Sequence, residues 1–103
     1  MNKKQYIQFF EEETKAMLDT TKRKNADYTG STDDPFANFK SVDQLGICTV
    51  EQGFMTRMMD KVMRINALAV QGNEQKVADE KVEDTLRDLA VYSLLFLGYL
   101  KSK

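Results

Sequence analysis

The segment from Glu80 to Leu100 constrains this chain more than any other. Glu80, Asp84 and Asp88 follow one another at i,i+4, so on a helix they stack along one stripe. Val91, Tyr92 and Leu95 carry that stripe toward the C-terminus. From Leu89 to Leu100 the chain is apolar nearly all round, and a helix of that kind belongs in a core or a subunit interface. The acids therefore run into a region that should be dry. An unpartnered buried carboxylate costs several kcal/mol, and stacked like charges repel. Either cations from a neighbouring helix or a divalent ion must meet Asp84 and Asp88.

A second helical pattern supplies the cations. It opens on a capping box, Thr49-Val50-Glu51-Gln52, and runs to about Gln71, with Gly72 as the stop. At about 100° per residue, Phe54, Met55, Met58, Met59, Val62 and Ile65 cover one side. Arg57, Asp60, Lys61 and Arg64 group on the other. Three cations on one stripe suit a polyphosphate. They equally suit a solvated face with an Asp60–Arg64 pair at i,i+4, or an interhelical salt-bridge network with Asp84 and Asp88.

A third pattern runs from about Lys4 to Arg23, where Ile7, Phe10, Met17, Leu18 and Thr21 recur at threes and fours. The connection from Lys24 to Thr49 has a turn-rich tip, Thr29-Gly30-Ser31-Thr32-Asp33-Asp34-Pro35. Phe36, Phe39, Val42 and Leu45 follow at threes, which predicts a short helix stopped by Gly46. The last long helix is expected from about Asp79, as N-cap, to Leu100. No segment alternates as a strand. The expected fold is all-α: one domain over 1–103, an antiparallel bundle of three long helices with a short helix in the connection. The final apolar run and the methionines at 55, 58, 59 and 63 predict core or subunit contact, hence a homo-oligomer.

Composition narrows the chemistry. Fifteen basic and sixteen acidic residues leave a net charge of −1, so no chain-wide basic field for nucleic acid is expected. Histidine is absent, which removes the usual general base near neutral pH and any Ser–His–Asp set. A metal would have to be a hard ion on carboxylates, such as Mg²⁺ or Mn²⁺. Cys48 is the lone cysteine and is read as a small buried hydrophobe. With a polar start, Met1-Asn2-Lys3-Lys4-Gln5, it predicts a cytoplasmic protein. Leu89–Leu100 falls short of the roughly 20 residues that span a bilayer, so no membrane partner is expected. In the connection, Tyr28, Phe36 or Phe39 can stack on a base and Asn38 can pair with a base edge. Phe36 and Phe39 at i,i+3 are more often a core pair.

The string Lys24-x-x-Asp27-Tyr28, Asn38-Phe39, Leu45-Gly46, Arg57-x-x-Asp60-Lys61-x-x-Arg64 and Glu83-Asp84-Thr85-x-x-Asp88-Leu89-Ala90-x-Tyr92 covers most of the chain. It resembles the nucleotide-modification-associated domain, a family of small helical phage and bacterial proteins. More distantly, its helices are similar to those of the MazG-like all-α nucleotide pyrophosphohydrolases. Those enzymes hold Mg²⁺ with Glu-Glu-x-x-Glu on one helix and Glu-x-x-Asp on the next. This chain has one acid, Asp60, where they have three, and carries Asp84 and Asp88 at i,i+4 rather than i,i+3.

The resemblance implies a phosphorylated nucleotide as ligand and adds Lys24 and Tyr92 to the ligand-facing set. The cations around Asp60 favour binding or sequestration without turnover and with no cofactor required, as in compact phage proteins that sequester nucleotide immune signals. The alternative is a nucleoside triphosphate pyrophosphohydrolase with Mg²⁺ on Asp60, Asp84 and Asp88. A bundle whose ion pairs only fix register is the third reading.

Overall fold

A computed structural model describes residues 1–28, 33–72 and 81–103, with the backbone alone described for 25–28. Every regular element among the described residues is helical, so the all-α expectation holds. The chain divides into two compact units, Met1–Pro35 and Phe36–Lys103.

The first unit holds α1, Lys3–Tyr28. The helix runs past Arg23, where the sequence pattern ends, because no glycine or proline interrupts it before Gly30. Its start is a reciprocal cap that periodicity does not reveal. The Gln5 backbone N–H donates to Asn2 Oδ1 at 2.8 Å, and the Asn2 N–H donates to Gln5 Oε1 at 2.9 Å. Two donors with no intrahelical partner are thereby satisfied.

The second unit contains α2 (Ala37–Gln44), α3 (Val50–Ile65) and α4 (Val82–Ser102). The chain leaves α2 at Gly46, where φ is +74°, a backbone angle that glycine adopts without strain. The capping box at α3 forms as expected. The Gln52 N–H donates to the Thr49 hydroxyl at 3.1 Å, and the Thr49 N–H donates to Gln52 Oε1 at 3.0 Å. After Ile65 the coil loosens into a π-helical turn, Asn66–Val70, closed by Gln71 N–H to Asn66 C=O at 2.9 Å. Gly72, φ +68°, ends it. The described part of the last helix begins at Val82 rather than Asp79. Asp79 and Glu80 lie outside the described residues. No described helix is long and apolar enough to cross a membrane.

Contacts at three levels show that α3 and α4 are antiparallel neighbours. Glu51 meets Lys103 at 3.6 Å, Phe54 stacks on Phe96 at 4.6 Å, and Lys61 meets Asp88 at 3.4 Å. Phe54 is fully buried and sits between two parallel rings, Phe39 of α2 at 3.9 Å and Phe96. Tyr99 leans on Phe54 and takes the edge of Phe36. Burying Phe54 between two half-buried rings supplies much of the apolar stabilisation at this end. One glycine of α3 admits α2 closely, while a glycine of α4 faces Phe36 with room to spare. A Cβ on Gly53 would come within 3.1 Å of Val42, and one on Gly98 within 3.6 Å of the Phe36 ring.

The buried side of α3 differs from the expected one. Val50, Gly53 and Phe54 are buried, while Met55, Met59, Val62 and Met63 remain about half exposed. The apolar arc of α3 is wider than its contact with α4. The bulky Phe54 ring claims that contact, and the methionines are turned away.

Candidate phosphate-binding face

Helix geometry sets where the charges lie. On α3, Phe54 and Lys61 mark the direction of α4. Arg57, Asp60 and Arg64 lie within about 120° of that direction, all in one rotational sense. On α4, Phe96 marks the direction of α3, and Asp88 and Asp84 lie within about 120° in that same sense. Because the helices are antiparallel, equal senses of rotation bring both sets to one side of the pair. Gly53 and Gly98, which face α2, lie on that side too. One side of the pair therefore carries α2 at the aromatic end and the charged residues at the other.

Within this charged end, Lys61 Nζ and Asp88 Oδ2 are 3.4 Å apart, with the side chains 29% and 40% exposed. The pair joins the basic stripe of α3 to the acidic stripe of α4, and water and ligands can reach it. Arg57 and Asp60 are exposed. Arg64 is half-buried, with its Nε out of solvent, and is engaged in a polar or ring interaction. Asp84 is exposed and accepts from Arg87 Nη1 at 3.0 Å, one turn along its own helix. Arg87 is a charged residue of this face's edge that the sequence reading missed. Its i,i+3 spacing from Asp84 was the available signal.

Phe39 is packed in the aromatic core, stacked on Phe54, with Tyr92 edge-on at 6.1 Å. Both rings serve packing in this structure. Tyr92 is one helical turn from Asp88 and borders the charged end. Asn38 is exposed on α2. Lys24 is exposed in the first unit, and the side chain of Tyr28 lies outside the described residues. Among the described residues no three Asp, Glu or Cys side chains gather as a metal cluster, so Asp60, Asp84 and Asp88 are not brought together as one ligand set. Cys48 is only partly buried, with its sulfur near the α2–α3 contact at Gly53.

No family model, curated protein sequence or solved structure matches the chain.

Proposed function

We propose that the protein binds or sequesters a phosphorylated nucleotide on the charged end of the α3–α4 pair without turnover. Arg57 and Lys61 contact phosphate, Arg64 adds positive field, and Asp88 orients Lys61. The observation that carries this reading is the half-exposed Lys61–Asp88 pair, flanked by exposed Arg57. A guanidinium and an ammonium one turn apart suit adjacent phosphate oxygens. A lysine already held by a carboxylate loses less side-chain freedom on binding. Tyr92, whose ring packs on Phe39 and borders the charged end, is the base-side candidate.

A second reading is the Mg²⁺-dependent pyrophosphohydrolase, in which bound nucleotide and metal would have to draw Asp60, Asp84 and Asp88 together. Its support is the acid spacing on α4 and the family resemblance in the sequence. Hydrolysis of this type uses a metal-activated water, and two-metal phosphoryl chemistry usually needs more carboxylates than these.

One experiment separates the two. The protein is incubated with a panel of nucleoside mono-, di- and triphosphates and cyclic dinucleotides, with and without Mg²⁺, then denatured, and the small molecules are analysed. Intact nucleotide recovered from the protein supports binding. Monophosphate plus pyrophosphate, formed only with Mg²⁺, supports the enzyme. Neither retained nucleotide nor products formed with Mg²⁺ would contradict both.

A further inference from the structure

The side of the α3–α4 pair opposite the charges is apolar. On α4, Leu86, Leu94 and Leu97 lie about 80–160° round from Phe96, in the rotational sense opposite to the acids. They are 49%, 62% and 48% exposed. Met55, Met59 and Val62 of α3 lie at similar angles from Phe54, in the sense that brings them to this same side. A face of this width costs stability if left in water.

Its charge pattern points to one occupant. Glu83 stands at the N-terminal end of the α4 stripe and Lys101 at its C-terminal end, both exposed and both on the stripe's azimuth. Ala90 and Ser93 occupy the middle, where two helices can approach closely. Between Glu83 and Lys101 the stripe carries no charge of its own, and Arg87 at its margin is paired with Asp84. A two-fold axis near Tyr92 would lay α4 antiparallel on a second α4. Glu83 then falls opposite Lys101 of the partner subunit, and Lys101 opposite the partner subunit's Glu83. Leu94 falls over the small Ala90 of the partner subunit. An isologous contact must be self-complementary, and an acid and a base at opposite ends of an uncharged stripe meet that condition.

We infer that this face is the contact with a second copy of the chain, with α4 paired antiparallel about Tyr92. The inference is independent of the phosphate site, which lies on the other side of the pair.

Sedimentation equilibrium across a concentration series tests it, alongside circular dichroism for each variant. The parent should have about twice 11.8 kDa. Leu97→Glu, placed on a half-exposed residue, should be a helical monomer. Glu83→Lys and Lys101→Glu each set like charges opposite one another twice, and each should raise the dissociation constant roughly tenfold. The double variant should return most of the loss, which a merely misfolded single variant would not do. A monomeric parent at high concentration overturns the inference. If Leu97→Glu then also melts far below the parent, the face is covered within one chain. If it melts like the parent, the face serves another protein. A dimer untouched by Leu97→Glu, or a double variant no better than the singles, places the contact elsewhere and overturns this pairing.

Discussion

The two ends of the α3–α4 pair are built from the same helices and do different things. At one end Phe39, Phe54 and Phe96 stack in parallel, Tyr99 closes the stack, and Phe54 loses all exposure. At the other, about two turns along, Lys61 and Asp88 hold the helices with a pair still partly in water. The first end gains from apolar area removed from solvent, which is worth several kcal/mol. The second gains little. An ion pair with about a third of each side chain exposed contributes under ~1 kcal/mol. A cell that needed only a stable helix pair would do better with leucines there. Retaining cations and acids at the weakly stabilising end fits a face that recognises something charged.

The largest effect expected from breaking this contrast is Phe54→Ala. It removes the middle ring of the stack and should cost about 3–5 kcal/mol, or prevent folding. Chemical denaturation followed by circular dichroism measures it. A loss under ~1 kcal/mol would mean that the stack does not hold this end together.

Next in size is Arg57→Ala, and its effect should appear in binding alone. Losing a charge-assisted phosphate contact should weaken nucleotide affinity roughly 30- to 150-fold, equivalent to about 2–3 kcal/mol. The melting temperature should stay near the parent's, because Arg57 is exposed.

Thr49→Ala is smaller. It deletes the hydroxyl that accepts from the Gln52 N–H and should cost about 1 kcal/mol of stability with no change in affinity.

The smallest expected effect has the opposite sign at a neighbouring site. Gly98→Ala improves helix propensity, and the new methyl would sit at ordinary contact distance from Phe36. It should stabilise by about 0.5–1 kcal/mol. Gly53→Ala meets Val42 at 3.1 Å and should lose that gain to crowding. Melting curves of the two variants side by side check the sign of the difference.

Much of this architecture is legible in the sequence. Thr49 and Gln52 announce the start of α3, Gly46 and Gly72 announce two stops, and threefold spacing from Phe36 announces α2. The reading of Phe36 and Phe39 as a core pair is the one the packing follows. Other features were hidden for physical reasons. Periodicity gives the width of an apolar arc, not which part of it meets a neighbour. Phe54 and Met55 are adjacent in sequence, and only packing shows that the phenylalanine goes inward and the methionine does not. Charge spacing shows that Asp84 and Asp88 share a stripe. It does not show that Asp88 reaches across to Lys61 while Asp84 turns to Arg87 on its own helix.

The central claim is that the charged end binds phosphate and contributes little to the fold. Calorimetric titration of the best-retained nucleotide into the parent and into Lys61→Ala, with a melting curve for each, tests it most directly. The account predicts at least a roughly tenfold loss of affinity in Lys61→Ala and a stability change under ~1 kcal/mol. Unchanged affinity, or a variant that unfolds, would contradict it.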